Sequence, residues 1–186
     1  VPRWCSQVAA SVKLARLAES VEIVVLDNSK NGAGCLLENE LLKYPDVFDR
    51  VRVVPHVAGY DWTTEQQRRD GVADFMATAS NRMLAIARGD VLWFIEDDIL
   101  IPMNACDRML GQLVAGDDPP QAISGAYRGR HGVGQYLAGD WPEGQNSPTE
   151  MATLPRSVRE IGAAGTGCLM FWRDRPSIPR RFVSHV

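Results

Sequence analysis

The stretch Val91-Leu92-Trp93-Phe94-Ile95-Glu96-Asp97-Asp98 sets five apolar residues directly before three carboxylates. Such a continuous apolar run, rich in β-branched and aromatic residues, predicts a strand buried on both faces, as in a parallel or mixed α/β sheet. Three acids at the end of one strand repel each other unless a positive charge lies among them, and a divalent cation commonly supplies it. A solvated acidic turn after a core strand explains the same pattern equally well.

Composition is that of an ordinary globular protein. The 186 residues suit one domain with a substantial core, and contents of 45% hydrophobic and 23% charged residues are typical. The net charge of −3 provides no basic surface for nucleic acid, and no apolar run approaches the roughly 20 residues that span a bilayer. Because the chain opens on Val1 and ends without an evident stop, we expect both termini to be incomplete.

The cysteines are scattered and include no CxxC pair, which argues against a zinc ribbon or a disulfide framework. We predict that all of them are reduced, small apolar residues, and this favours a cytoplasmic location. They are Cys5, Cys35, Cys106 and Cys168.

Hydrophobic periodicity predicts helices and strands that alternate along the first half of the chain. The predicted helices are Gln7–Glu19 with Ser6 as N-cap, Leu36–Lys43, Val72–Arg88 with Gly89 as a left-handed cap, and one that starts at Pro102, buries Cys106, Leu110, Leu113 and Val114, and ends at Gly116. The predicted strands are Val21–Leu26, Val51–Pro55, the stretch from Val91, Ala122–Arg128, Val158–Ile161 and Cys168–Arg173. Long polar segments at Gly59–Asp70 and Gly129–Pro155 predict loops. The alternation predicts an α/β fold with a largely parallel sheet and antiparallel additions at one side.

Four segments occur in an order that resembles the GT-A class of nucleotide-sugar glycosyltransferases, of the DxD type and family-2-like. They are Val1-Pro2-Arg3, Val24 to Ser29, Ser80 to Asp98, and Gly165 to Phe171. The resemblance implies a Rossmann-like three-layer sandwich around a mixed, mostly parallel central sheet. It implies one catalytic domain over 1–186, with a nucleotide-binding half at 1–100 and an acceptor half at 101–186. Val1-Pro2-Arg3 resembles the tail of the first strand and the nucleotide loop of that class, the strand itself being absent.

The function that the resemblance implies is transfer of a sugar from a nucleotide-diphosphate donor to an acceptor, with Mn²⁺ or Mg²⁺ as cofactor. UDP-sugar is the expected donor, followed by GDP-sugar. A divalent cation would neutralise the charge that develops on the leaving diphosphate. The resemblance assigns Asp98 as the principal metal ligand and Glu96 as a ligand through water or a contact to the ribose. It assigns Asp97 to the donor sugar and counts Asp97 and Asp98 as catalytic.

Further nucleotide contacts are expected near the ends of the first strands. The carboxylate of Asp27 can accept from a uracil or guanine N–H, although an ordinary turn explains the same residues. The remaining nucleotide-binding candidates are Pro2 and Arg3 beside the base or diphosphate, Asn28 after Asp27, and Asn81 or Arg82 at a helix start. For Arg3 a plain surface role stays open.

The acceptor side is expected at Gly165-Thr166-Gly167, where glycines would let the sugar or acceptor approach the backbone closely. Trp141 could stack on a sugar face or pack back on the domain. His185 is the late histidine that the class often uses as a further metal ligand, while His56 and His131 are less well placed. The general base is not located, since Asp140, Glu143 and Glu150 are weak substitutes for it.

Two other functions compete with the glycosyltransferase. A sugar nucleotidyltransferase uses a related sheet and a metal, but it carries a glycine-rich loop where this chain has Pro2-Arg3-Trp4. A non-catalytic nucleotide-sugar-binding module fits the missing base, yet it does not need three adjacent carboxylates.

Overall fold

The computed structural model describes residues 2–29, 33–56, 64–127, 136–140, 149–151 and 163–174. Helices and strands alternate up to the fourth strand, so the predicted mixture of α and β elements is confirmed. The helices are α1 (Pro2–Lys13), α2 (Gly34–Leu41), α3 (Glu65–Ile86) and α4 (Ala105–Val114). The strands are β1 (Glu22–Asp27), β2 (Arg50–Pro55), β3 (Val91–Ile95), β4 (Ala122–Ser124), β5 (Tyr136–Asp140), β6 (Thr149–Met151), β7 (Ala163–Ala164) and β8 (Cys168–Trp172).

The described strands form three small sheets instead of one large, mostly parallel sheet. Strands β1 and β2 pair in parallel, with Asp27 opposite Pro55 at their carboxyl ends. A second sheet has the order β3-β8-β4 and a third the order β6-β5-β7, and both are antiparallel. Parallel neighbours need a crossover connection, which α2 supplies between β1 and β2. Among the residues that the structure describes, the elements after α4 are all strands, and they pair antiparallel.

Strands β1 and β3 lie close together at their amino ends, although they belong to different sheets. The backbone N–H of Arg88, just before β3, donates to Oε2 of Glu22 at the start of β1, at 3.0 Å. In the same region Nη1 of Arg52 donates to the carbonyl oxygen of Ile86 at 3.3 Å. The amino ends of the two strands therefore lie side by side.

The core is built from the apolar stripe of α1 packed against α4 and the second sheet. Cys5, Val8, Ala9 and Val12 recur at helical spacing and are all buried. Buried Ser11 on the same helix accepts a hydrogen bond at its Oγ from the backbone N–H of Cys106, at 2.9 Å. This bond satisfies a polar group inside the core and fixes α1 against the first turn of α4.

The predicted first helix is wrong in position. Helix α1 begins at Pro2 and ends at Lys13, whereas the sequence predicted Gln7–Glu19 capped by Ser6. Proline suits the first helical position because that residue needs no N–H partner, and the Ser6 hydroxyl donates to the carbonyl of Arg3 within the helix, at 2.9 Å. Pro2 and Arg3 are thus helical and exposed, so they do not form the tail of a strand.

Other boundaries differ where local sequence misleads. Helix α3 starts at Glu65, inside the segment that was predicted to be a polar loop. The prediction was wrong there because the first residues of this helix are polar and form no apolar stripe. Helix α4 starts at Ala105, three residues after Pro102, and ends before Gly116. Among the described glycines, Gly116 is the one with a positive φ, 79°, so Gly89 after α3 is not a left-handed cap. Met109 is buried on α4, whereas Val114 is 40% exposed. Strands β5 and β6 lie in the predicted loop Gly129–Pro155, and β7 lies in the predicted glycine turn. Strand β4 ends at Ser124, four residues before the predicted end at Arg128. The predicted strand Val158–Ile161 lies outside the described residues.

The cysteines are all free thiols, as predicted, and three of them are buried in the core: Cys5, Cys106 and Cys168. Among the described helices, none combines the length and the apolar character that crossing a bilayer requires.

Candidate functional site

The three acids after β3 lie on a turn whose backbone is held from both sides. The N–H of Glu96 donates to the carbonyl of Gly167 at 2.9 Å. The carbonyl of Glu96 accepts from Nε1 of Trp4 at 3.2 Å and from the N–H of Ile99 at 3.1 Å. Glu96 is half-buried, whereas Asp97 and Asp98 are exposed. The turn therefore combines a fixed backbone with two carboxylates that solvent can reach.

The glycine turn lies directly beside this acid turn. The N–H of Gly167 donates to Oη of Tyr127 at 2.8 Å. A Cβ atom at Gly167 would lie 2.6 Å from Cδ1 of Ile99 and 2.7 Å from Oη of Tyr127, which is closer than carbon atoms tolerate. A glycine is therefore required at position 167. The side chains that come close to its backbone are those of Tyr127 and Ile99.

Tyr127 is a site residue that the sequence did not single out. Burial raises the pKa of its phenol, the hydrogen bond from Gly167 lowers it, and the negative charges of Glu96 and Asp98 raise it further. The phenol is therefore neutral at pH 7 and stays a hydrogen-bond donor close to two carboxylates. Nothing in the local sequence marks it, since it stands at the end of a predicted strand.

A second polar corner lies where β1 ends. Oδ1 of Asp27 accepts from the N–H of Ser29 at 3.0 Å, and Oδ2 accepts from the N–H of Gly34 at 2.8 Å. Oγ of Ser29 accepts from the N–H of Ala33 at 3.0 Å. The hydroxyl and N–H of Ser29, with the N–H of Gly34, hold the pKa of Asp27 below its ordinary value against the opposing effect of burial. Asp27 thus anchors the start of α2 and stays ionised.

Gly34 is required at the start of α2 by this arrangement. A Cβ atom there would lie 2.5 Å from Oδ2 of Asp27 and 3.2 Å from Cγ1 of Val53. Only a residue without a side chain allows the first turn of α2 to reach the carboxylate. The sequence contains the glycine, but only the fold shows that it faces Asp27.

His56 follows β2 and joins the Asp27 corner to α3. Its backbone N–H donates to the carbonyl of Asp27 at 2.8 Å. Its Nδ1 accepts from Nη1 of Arg82 at 3.1 Å, because a guanidinium can only donate. Burial and the positive charge of Arg82 lower the pKa of the imidazole, and its ring lies 5.2 Å from that of Phe75. His56 is therefore a neutral, buried partner of Arg82.

The structure brings together only part of the predicted site. Glu96, Asp98, Thr166 and Gly167 cluster at the carboxyl end of β3, while Asp27 and exposed Asn28 lie at the end of β1 in the other sheet. Asn81 and Arg82 belong to the last two turns of α3, not to a helix start. The helical residue that reaches Glu96 is Trp4, not Pro2 or Arg3. Trp141, His185, His131 and Glu143 lie outside the described residues; Asp140 is exposed at the end of β5, and Gly165 is half-buried in the glycine turn.

A cavity of about 770 Å³ opens beside the acid turn. Trp4, Glu96 and Thr166 line it, together with residues of β1 and β3. The side chains of Asp27, Asp97 and Asp98 do not line this cavity. The exposed carboxylates of Asp97 and Asp98 therefore lie outside this largely apolar space.

The expected Mn²⁺ or Mg²⁺ site would need fewer protein ligands than a metal centre built from protein side chains alone. Across the described ranges, no three His, Cys, Asp or Glu side chains gather in a way that could hold an ion. Magnesium sites that act on nucleotides commonly use one or two carboxylates, and phosphate oxygens and water complete the shell. On the acid turn, Glu96 and Asp98 are the carboxylates that the resemblance assigns to this smaller requirement.

Comparison of the whole chain with protein-family models, with curated proteins and with solved structures gives no match. Function is therefore inferred from the geometry and chemistry of the two corners, together with the resemblance of the four segments.

Proposed function

We propose that this protein is a metal-dependent glycosyltransferase of the GT-A class, which transfers a sugar from a UDP-sugar or, second in order, a GDP-sugar. The observation that supports it best is the hydrogen bond from the N–H of Glu96 to the carbonyl of Gly167, at 2.9 Å. In the resemblance, the acid turn serves the donor and the glycine turn serves the acceptor side, so the two must be neighbours. The three-layer GT-A sandwich with one central sheet is part of this proposal.

The acid turn would divide its work among three side chains. Asp98, with Glu96, would hold Mn²⁺ or Mg²⁺, and the donor diphosphate would supply further oxygens. When bound, the ion stabilises the charge that develops on the leaving diphosphate. Exposed Asp97 would accept hydrogen bonds from the hydroxyl groups of the donor sugar. The fixed backbone of the turn keeps these carboxylates in place, which reduces the reorganisation needed during the reaction.

Asp27 would recognise the base of the nucleotide. Each of its oxygens accepts one backbone N–H, and a carboxylate oxygen can accept a second hydrogen bond. The lowered pKa keeps the group ionised over the physiological range, so it can accept from the N–H of uracil or guanine. Its role as the anchor of α2 is compatible with this second role.

Nucleotide binding is the first test of the proposal. Titration calorimetry with UDP and with GDP, each with and without Mn²⁺, should show binding that strengthens at least tenfold when the metal is present. Equal affinities with and without metal would contradict metal-assisted binding of the diphosphate. Metal-dependent binding of UDP without turnover of any nucleotide sugar would favour the non-catalytic module, and pyrophosphate release from a nucleoside triphosphate with a sugar phosphate would favour the nucleotidyltransferase.

The substitution Asp98→Asn tests the chemistry. Loss of one ligand that stabilises the leaving group should decrease donor hydrolysis and transfer about 10²–10³-fold. The melting temperature should stay within about one degree, because Asp98 is exposed. The matched control is Asp117→Asn, the same change at an exposed carboxylate after α4. Equal activities of the two variants would remove Asp98 from the proposed role.

A further inference from the structure

Helix α1 holds both ends of the segment that connects the acid turn to α4. Nε1 of Trp4 donates to the carbonyl oxygen of Glu96 at 3.2 Å, and Oγ of Ser11 accepts from the N–H of Cys106 at 2.9 Å. Positions 4 and 11 are about two helical turns apart, so the two side chains lie on the same face of α1. The acid turn is therefore held by a helix from a distant part of the chain.

Trp4 is a donor with little freedom to move. It is buried in the core together with Cys5 and Val8 of the same helix. The indole N–H can only donate, and an indole in the interior usually finds one acceptor for it. Here that acceptor is the carbonyl of Glu96, so the bond fixes the acid turn to the protein core.

The bond acts on the peptide unit between Glu96 and Asp97, to which the carbonyl of Glu96 belongs. The preceding peptide unit is held separately, because the N–H of Glu96 donates to the carbonyl of Gly167 at 2.9 Å. Two planar peptide units meet at the Cα atom of Glu96, so fixing both planes fixes both backbone dihedrals of this residue. These dihedrals set the direction of the Glu96 side chain and the path of the chain toward Asp98.

Direction is critical for a cation site that has few protein ligands. Mg²⁺ requires near-ideal octahedral positions, and with one or two carboxylates each ligand has to be placed correctly. Groups that orient metal ligands through hydrogen bonds typically change metal affinity or activity about 10–100-fold when they are replaced. Trp4 bonds to the backbone of the turn instead of to a carboxylate, so we expect an effect at the lower end of this range.

We propose that Trp4 is a positioning residue of the acid turn, whose indole N–H holds the peptide between Glu96 and Asp97 so that the carboxylates of the turn can bind one cation with its diphosphate. Trp4 acts through Glu96 and is not itself a ligand. This inference rests on the proposed function, since it concerns the same metal and nucleotide site. It adds a residue that the resemblance does not assign, because the resemblance gives Pro2 and Arg3 to the nucleotide.

The substitution Trp4→Phe tests this role, because it keeps an aromatic ring in the core and removes the N–H. Hydrogen exchange should become faster at the amides of Glu96 and Ile99, which donate to Gly167 and accompany Trp4 at the Glu96 carbonyl, respectively. Titration calorimetry should show an affinity for UDP with Mn²⁺ about tenfold lower than that of the wild type. Without Mn²⁺ the two proteins should bind UDP alike, whereas a general structural loss would weaken binding in both conditions.

Ser11→Ala is the matched control. It removes one hydrogen bond from the same face of α1, at the end that contacts α4. Both variants should stay folded and lose about 2–4 °C in melting temperature. The faster exchange at Glu96 and Ile99 and the weaker binding of UDP with Mn²⁺ should occur in Trp4→Phe alone.

The outcomes separate this inference from the proposed function. Unchanged exchange or unchanged affinity in Trp4→Phe, or an equal loss of affinity in Ser11→Ala, would overturn the role of Trp4 while the glycosyltransferase proposal stands. A wild type that binds UDP equally with and without Mn²⁺ would overturn both.

Discussion

The carboxyl ends of β1 and β3 both carry acids, yet the two corners use them in different ways. At the end of β1, both oxygens of Asp27 accept backbone N–H groups, from Ser29 and Gly34, and the carboxylate holds the start of α2. At the end of β3, the backbone of Glu96 is what the neighbours hold, while Asp97 and Asp98 are exposed. The same residue type after the same kind of strand is an anchor in one corner and a solvent-accessible group in the other.

The difference shows how a fold separates structural acids from candidate ligands. An acid whose oxygens bind backbone N–H groups is costly to replace and stabilises the fold. An exposed acid on a surface turn can usually change with less effect on stability, so its presence is more open to a functional explanation. Substitutions at the two corners should therefore affect stability very differently.

The largest effect is expected for Gly34→Ala at the Asp27 corner. The new methyl group would lie 2.5 Å from Oδ2 of Asp27, so α2 must move away and the variant should lose about 1–3 kcal/mol of stability. The control is Gly111→Ala in α4, where nothing lies within 4 Å of the added Cβ. That change should stabilise by about 0.5–1 kcal/mol, through helix propensity alone. Urea unfolding of both variants checks the contrast, and a neutral Gly34→Ala would refute the close contact.

Asp27→Asn and Asp97→Asn compare the two acids directly. An amide at position 27 keeps the shape but can accept only one of the two N–H groups and loses the charge, so we expect a loss of about 1–2 kcal/mol. The same change at exposed Asp97 should leave the free energy of unfolding within about 0.5 kcal/mol. Chemical denaturation at pH 7 measures both. Similar losses at the two positions would show that the corners do not differ as the structure indicates.

Tyr127→Phe tests the hydrogen bond between Tyr127 and the glycine turn, next to the acid turn. It removes the hydroxyl that accepts from the N–H of Gly167 and leaves that donor without its partner, at a cost of about 1 kcal/mol. Faster hydrogen exchange at the Gly167 amide should accompany the loss. Tyr44→Phe is the control, since the same hydroxyl is removed at a half-buried position away from both turns. Unchanged exchange at Gly167 would speak against this hydrogen bond.

The smallest effect is expected from pH at His56. Burial and Arg82 hold the pKa of the folded imidazole below its ordinary value of 6.5, so the unfolded chain takes up the proton first as pH falls. The stabilisation is therefore complete above pH 6.5 and decreases as pH falls from there toward the folded pKa. Melting temperatures between pH 7.5 and 5.5 should show this decrease, and His56→Gln should flatten it. An identical pH dependence in the variant would assign the decrease to other groups.

Much of the fold could be predicted because it depends on local patterns. The apolar runs of β1, β3 and β8, the helix after Val72 and the stop at Gly116 follow from periodicity and from glycine after a helix. The first helix was displaced because Ser6 was taken as its N-cap, whereas the helix begins at Pro2 and Ser6 lies within it. The start of α3 was missed because its first residues are polar and carry no period.

The candidate site was only partly predictable, since it depends on contacts between distant residues. Glu96, Asp98 and Gly167 were expected at one site, and the structure places their turns together. Trp4, Tyr127 and Gly34 were not predicted to belong to the site. No feature of the local sequence distinguishes a tryptophan, tyrosine or glycine that contacts one of the acidic turns from one that lies elsewhere. Trp4 and Glu96 are 92 positions apart in the chain.

The sequence by itself determined the strand that ends in three acids, the glycine turn and the reduced state of the cysteines, because each depends on residue type and neighbours along the chain. Only the tertiary structure decided that the acid turn is fixed against Gly167, that Asp27 anchors α2, and that a cavity is lined by residues of both β1 and β3. The physical reason is the same in each case. Hydrogen-bond partners and packing gaps are set by which distant segments meet, and hydrophobic pattern specifies that a face is buried without specifying what covers it.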